Sequence, residues 1–585
     1  MRCQSILALG VALFTSSALG AECWSKLSKD AFPNCKLIEQ RYALHWNTKD
    51  GKITFGATVD VDNAWFALGI SENGGMKGAD ITVISAGSDG KLQVQDYYST
   101  DFAPPQLDDS QDVTIDASQS SRGSGSTTAV WIRPLDTCDD DDIKIYNNIE
   151  QKVIWAIGTS DKFSRHAPTN RGTTNIALIP DPNAKAKPTD PADLGMFEVS
   201  MPNYTIPANK TTSYTCTHAQ LKLPKENTKY HITKYQGIAK SKLVHHMIIY
   251  ACVTPPPQLG DIYDCESMEA MCSDFTMVWA PGLDTIELPA EAGFAAGSVP
   301  GGFQYFSLQV HYDNQAKQEG VVDTSGFKIW YTEQLRENDM GVLFTGVTGF
   351  TIPPNNPSYH VAGGECPGSC TRKFGKPITL WRNAFHMHTL GKNITTRHIK
   401  NGVELEPIGV LSHYDFNFQS ISDLPQGPRT LSPGDSLLTT CTFDSTTRNV
   451  STPYGESTSQ EMCFNIIQYY PRVDVSWCTA IAGAGVSTCN NQIEQAKYEQ
   501  EFQAGLAANG TGNLTDAEFG KRYIEGAVKA GLMVMSDVGP FVEFKKECKQ
   551  TSPSGTKAES GALAVLPSFV SLAAVVVSLA LAAMV

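Results

Sequence analysis

Fourteen cysteines follow an apolar leader, and that even number constrains the fold of this chain more than any other feature. Arg2, the apolar run from Ile6 to Phe14 and the small residues Ala18 and Gly20 read as a secretory signal over residues 1–20, cleaved before Ala21. Its removal takes away Cys3, the first of fifteen cysteines, and leaves enough for seven disulfides in an oxidising compartment. The expected location is the secretory pathway, with delivery to the extracellular cell surface or secretion. N-glycosylation sequons at Asn203, Asn209, Asn393, Asn449, Asn509 and Asn513 agree with that.

The other end reads as an anchor. Gly561 to Val585 is almost wholly apolar, with no Lys or Arg after it. Residues 556–585 are therefore expected to be a GPI-attachment signal, with Ser552, Ser554 and Gly555 as candidate attachment positions, or else a single C-terminal transmembrane helix. Either makes a membrane a partner. Acidic side chains outnumber basic ones, 61 to 46, and no Lys/Arg-rich run is present, so nucleic acid is not an expected partner. A homo-oligomer is compatible with the sequence.

The body of the chain reads as strands. Residues 36–180 contain ITFGATV, WFALGIS, ITVISAG and KLQVQDYYS, rich in β-branched and aromatic residues and separated by Gly, Asn and Asp, which predicts a β-sandwich. A polar segment at 181–194, punctuated by Pro182, Pro188 and Pro191, is the expected linker. Two further β-rich blocks, 195–349 and 350–489, meet near Pro353, Pro354 and Pro357. Residues 490–555 change character: IEQAKYEQEFQAGLAA and DAEFGKRYIEGAVKAGLMVM carry helical spacing. The fold class is thus mainly β, with a small helical C-terminal region.

Five of the twelve histidines fall in three short strand-like segments, LVHHMIIY, SLQVHYDN and AFHMHTLG. Side chains alternate along a strand, so His386 and His388 share a face and can share a metal ion. His245 and His246 would face opposite ways on an ideal strand, so joint binding needs a twist, a bulge or different ring nitrogens. A buried, hydrogen-bonded histidine is the competing reading for each pair. Imidazoles joined by a soft thioether would favour copper.

In order, LVHHMIIYAC, SLQVHYDN, AFHMHTLGK, LSPGDSLLTTC and EMCFNIIQYYPR resemble the ascorbate-dependent type II copper monooxygenases, the family of dopamine β-monooxygenase and peptidylglycine α-hydroxylating monooxygenase. ITFGATVDVDNAWFALGIS, GGMKGADI, RPLDTCDDDD and VIWAIG resemble a DOMON domain, which points to the dopamine branch. The resemblance implies a DOMON β-sandwich and two jelly-roll-like copper domains. His245, His246 and His311 would hold an electron-transfer copper. His386, His388 and Met462 would hold the oxygen-binding, catalytic copper, with the two sites facing each other across a solvent-filled gap. Two coppers per chain, ascorbate as electron donor, O2 as co-substrate and hydroxylation of a C–H bond in a small substrate, of phenethylamine or catecholamine type, follow from it. Ala384, Phe464 and Ile466 stand where the peptide-binding residues of the family would be, so peptide amidation is not expected.

The same resemblance implies the disulfides Cys216–Cys265, Cys252–Cys272, Cys366–Cys478 and Cys441–Cys463. Cys23 and Cys35 suit a local pair. Cys138, Cys370, Cys489 and Cys548 remain, with one cysteine of the first domain bridging to the C-terminal region. Met76 and His166, which could ligate haem in some DOMON domains, are assigned structural or small-ligand roles, and Asp139 to Asp142 a solvated loop rather than a cation site. His413 and Tyr414 fall near the active copper without a catalytic role. The alternative function is a non-catalytic extracellular binding protein or a DOMON-type electron carrier.

Overall fold

Strand-forming segments with one apolar face need a second sheet to cover that face, and the chain meets the need three times over. The structure, a computed structural model, describes residues 26–39, 41–180, 191–266, 270–272, 274–283, 285–419, 421–425, 427–508 and 515–546, with Cys23 and Cys548. The leader, most of the linker, Asn509, Asn513 and the apolar tail lie outside the described residues. Among those described, no helix is long and apolar enough to cross a membrane.

The first sandwich stacks two six-stranded sheets. In the strands Phe66–Ser71 and Gln151–Ile157, Phe66, Leu68, Ile70, Val153, Trp155 and Ile157 recur every second residue. They meet Ile53, Phe55, Ala57 and Val59 of the strand Lys52–Val59, all in one buried cluster.

In the next domain, the central strands of a five-stranded sheet are Thr212–Gln220, Tyr305–Asp313 and Val244–Cys252, adjacent in that order. The third domain is built on an eight-stranded sheet in which Ile378–His386, Cys463–Tyr470 and Gly341–Thr348 are neighbours. Gly341–Thr348 precedes residue 350, yet it pairs with Cys463–Tyr470 and so forms part of this third-domain sheet.

One apolar cluster runs through the second and third domains: Ile248, Phe275 and Val278 of the second pack with Ala384, Phe464 and Ile466 of the third. Phe275 meets Phe344 edge-on, with ring centroids 6.0 Å apart, and the Gln468 side chain donates across the boundary to the Thr276 carbonyl at 3.1 Å. Each such buried apolar side chain contributes on the order of 1.5–3 kcal/mol, so the two domains are held closed against each other.

At the C-terminal end, helices span Gln492–Ala508 and Asp516–Lys529. Thr515 and Glu518 form a reciprocal capping box at the start of the second. Its helical pattern runs on in sequence to Met535, but Gly531, at φ 77°, breaks it. Met533–Met535 instead pairs as an edge strand with Val486–Asn490.

Among the described residues there are seven disulfides: Cys23–Cys35, Cys138–Cys548, Cys216–Cys265, Cys252–Cys272, Cys366–Cys478, Cys370–Cys489 and Cys441–Cys463. They fit an extracellular chain. Cys138–Cys548 spans 410 residues and ties the first domain to the C-terminal region. Asn203, Asn209 and Asn449 are exposed, and Asn393 is half-buried.

Candidate metal centres

His246 and His311 are cross-strand partners in the second domain. The register slips between Val244 and His246, and this irregularity lets His245 join them although it is the next residue in sequence. Nδ1 of His246 lies 3.2 Å from Nδ1 of His245 and 3.5 Å from Nδ1 of His311. Nε2 of His311 points the other way, to the Thr212 hydroxyl at 2.7 Å, and Nε2 of His245 is buried with no hydrogen-bond partner among the described residues.

Burial, and then the neighbouring imidazoles, hold His246 and His311 well below the ordinary histidine range. His245 is lowered by burial. Three neutral rings whose nitrogens converge so closely bring lone pairs together, an arrangement that a metal ion relieves. The donor set fits copper.

His386 ends the strand Ile378–His386, and His388 follows in the turn, with ring centroids 5.1 Å apart. Oε1 of Gln419 lies 2.6 Å from Nδ1 of His386 and accepts its proton, while the Gln460 carbonyl accepts from Nδ1 of His388 at 3.0 Å. Both rings are thereby fixed in the tautomer that leaves Nε2 free as a ligand atom. Burial lowers His386, and burial with the nearby His386 ring pushes His388 down to about 3.

Met462, one residue before the strand Cys463–Tyr470, lines the same cavity as His386 and His388. Cys441–Cys463 pins the residue beside it. Glu461, on the other side, accepts from the backbone N–H groups of His388 at 2.8 Å and Leu390 at 2.6 Å. Two imidazoles and a thioether suit copper, the sulfur favouring Cu(I).

The space between the two ligand sets is narrow in this structure. The ring of Phe416 lies 5.3 Å from His245, 6.3 Å from His311 and 6.4 Å from His388, so one side chain separates the two sets. Tyr214 stacks on His311 at 4.1 Å and 8°, and its hydroxyl lies 3.1 Å from Thr458 Oγ1 in the other domain. Beside them is a cavity of about 200 Å³ lined by His246, His386, His388 and Met462. Its walls include Tyr250, Phe275, Phe344, Tyr454, Phe464 and Trp477, with carboxylates from Glu266 and Glu456.

Thr212, Tyr214, Phe416, Gln419 and Glu461 are not singled out by the sequence. The YDFNFQ segment holds two of them, but nothing in its spacing assigns a role to Phe416 or Gln419. Tyr414 braces Met387, donating to its carbonyl at 2.6 Å and accepting from its N–H at 3.0 Å. His413 is held through its backbone by the first domain. His166 bonds its neighbour's carbonyl, Ala167, and Met76 sits in the loop that faces residue 418. Of the acidic run, Asp140 is exposed but Asp142 turns inward, buried beside Arg133 with Asp80 and Asp96.

Residues 338–489 match the copper type II ascorbate-dependent monooxygenase C-terminal domain, residues 197–319 the N-terminal domain of the same family, and residues 38–158 the DOMON domain. A mouse protein named DBH-like monooxygenase protein 1 is 31% identical over 470 residues, covering 76% of this chain and 73% of that protein. Human dopamine beta-hydroxylase is 30% identical over 495 residues, covering 78% of each chain. MOXD1 homolog 1 of Drosophila melanogaster is 30% identical over 472 residues, covering 75% of this chain and 66% of its own. The chain therefore belongs to the copper type II ascorbate-dependent monooxygenases, with a DOMON domain ahead of the two copper domains, and copper and ascorbate are the cofactors the family implies.

Proposed function

We propose that the protein hydroxylates a C–H bond of a small aromatic, amine-bearing molecule, with one copper held by His245, His246 and His311 and a second by His386, His388 and Met462. The observation that carries this reading is the cavity: His246 of the first ligand set and all three residues of the second border it, and its walls are aromatic with two carboxylates. Aromatic faces take a planar ring by stacking, and faces with nearby carboxylates favour an ammonium group. A volume of about 200 Å³ suits a single-ring substrate better than a peptide.

When bound, copper supplies one-electron redox chemistry, ascorbate provides two electrons, and O2 gives one oxygen atom to the substrate carbon while the other leaves as water with two protons. The chain's own residues prepare for this. Gln419 and the Gln460 carbonyl aim Nε2 of each histidine, and Met462 adds a soft third donor, so the protein supplies three ligands and leaves room for a further one. The apolar walls exclude water and hold the substrate carbon beside the ligand set. The same reading puts the enzyme in the secretory pathway, attached to a membrane through a GPI anchor added as the 556–585 signal is removed, or else through 556–585 as a single transmembrane helix.

The test is copper stoichiometry with ascorbate-dependent O2 uptake over a panel of phenethylamine-like compounds, wild type beside Met462→Ala. Two coppers per wild-type chain and substrate-stimulated uptake lost in the variant are expected. Fewer than two coppers in a folded, copper-supplied sample would overturn the two-site reading in favour of a binding protein. Release from membranes by a GPI-specific phospholipase tests the attachment.

A further inference from the structure

We propose that Glu72 and Asn73 of the DOMON domain are positioning residues for the His386 site, acting through residues 412–419. The inference rests on the reading of His386, His388 and Met462 as copper ligands.

The segment has two sides. Toward the metal sites it presents Phe416, between His245 and His388, and Gln419, bonded to His386. The side chain of Gln419 also donates to the Phe416 carbonyl at 3.0 Å, so the two groups are tied together. Toward the DOMON domain it presents His413 and Phe418. The Glu72 carboxylate accepts from the His413 N–H at 3.1 Å, and Asn73 Nδ2 donates to the His413 carbonyl at 2.9 Å. Both backbone polar groups of one residue are thus held by another domain.

Asn73 is itself fixed. It is 2% exposed, donates to the Lys77 carbonyl at 3.0 Å and accepts from the Gly75 N–H at 2.8 Å. Phe418 forms the second anchor. A Cβ at Gly75 would lie 2.6 Å from its ring, so only glycine there lets the ring seat as it does.

Little slack separates the two anchors. The Phe418 N–H donates to the Asp415 carbonyl at 3.0 Å, closing a tight turn around Phe416. A shift at His413 or Phe418 is therefore passed to Phe416 and Gln419. Ligand constellations work within tolerances of about 0.5 Å, so such a shift alters how Nε2 of His386 meets its metal. The DOMON domain acts in this way as an outer wall of the catalytic site, contributing no ligand and fixing one.

The full-length protein is compared as Asn73→Ala, Gly75→Ala, Gln419→Ala and the control Lys91→Ala, whose side chain is 84% exposed. The readouts are copper content, the C–O stretching band of carbon monoxide on the copper(I) protein, and amide hydrogen exchange of residues 412–419 in copper-free protein. Asn73→Ala and Gly75→Ala are expected to keep their copper, move the carbonyl band in the direction Gln419→Ala moves it, and speed exchange in 412–419 by roughly three- to tenfold, the worth of one hydrogen bond. Lys91→Ala changes none of these. The double variant Asn73→Ala/Gln419→Ala is expected to match Gln419→Ala alone, because the two act along one route. Gly75→Ala keeps the question open to test if Asn73→Ala fails to fold. Copper uptake with unmoved bands in both DOMON variants would overturn the positioning role, as would a band insensitive to Gln419→Ala. A wild-type protein that takes up no copper would instead overturn the ligand reading.

Discussion

The Thr212 hydroxyl and Nε2 of His311 lie 2.7 Å apart, and this contact decides which nitrogen of the ring faces His245 and His246. With Nε2–H donating to the hydroxyl oxygen, Nδ1 is left as the lone-pair donor, 3.5 Å from its counterpart on His246. Thr212→Val keeps the shape and removes the partner. Loss of such an outer contact costs about 10–100-fold in metal affinity, so copper should be drawn from this site by a competing chelator at correspondingly lower concentration. Unchanged competition would mean that the stacked Tyr214 ring orients His311 by itself.

Glu461 closes the turn that carries His388. Burial pushes its carboxyl up to about 7, although the N–H groups of Leu390, His388 and Met462 work against that rise. Glu461→Ala leaves the His388 and Leu390 N–H groups buried without an acceptor, at about 1–3 kcal/mol each. The variant should melt clearly below wild type and lose copper from the second site, whereas Glu461→Gln, which keeps one acceptor oxygen, should fall between. Equal melting of all three would show that water replaces the carboxylate.

The DOMON core holds a charge imbalance that pH should expose. Asp80, Asp96 and Asp142 surround Arg133, and both carboxylate oxygens of Asp96 lack a hydrogen-bond partner among the described residues. Burial first, then the neighbouring carboxylates, push Asp96 up to about 8 and Asp142 to about 7. A folded-state value above the unfolded one means that stability is fully present below the unfolded value of about 3.9 and is lost as pH rises through the folded one. With a chelator present to keep adventitious cations away, Tm should therefore fall between pH 4 and pH 8. Asp96→Asn should flatten that slope and raise Tm at pH 8 by at least about 2–4 °C, the worth of one kcal/mol in a domain of this size. A flat wild-type profile would sink the argument.

Cys138–Cys548 makes a covalent prediction. A protease site placed within residues 181–190 and cut should leave the DOMON domain joined to the rest of the chain on a non-reducing gel, and free it once reductant is added. Separation without reductant would show that the bond does not form.

Residues that act with their sequence neighbours are legible from local pattern alone. His386 and His388 sit two apart, and their rings meet as that spacing suggests although the strand ends at His386 and His388 lies just beyond it; Phe66, Leu68 and Ile70 announce a buried face by strand period. His245 and His246 are readable only as a condition, since adjacent residues need an irregular register to meet, and that slip depends on the pairing of Val244–Cys252 with Tyr305–Asp313. The second C-terminal helix shows the limit of periodicity: the apolar spacing runs on past residue 530, but an open sheet edge at Val486–Asn490 and the turn at Gly531 decide otherwise.

By itself, the sequence determined the β-rich class, the cysteine count for seven bridges, and the residue types that suit copper. Each is a property of local pattern or chemical type. Tertiary structure alone decided that Phe416 stands between the two histidine sets, that Gln419 and Thr212 choose the ring nitrogens, and that a DOMON loop holds the segment carrying Phe416 and Gln419. Those contacts join groups 28 to 341 residues apart. No local pattern encodes them, because they follow from how the sheets pack once the apolar faces of the copper domains have closed on each other.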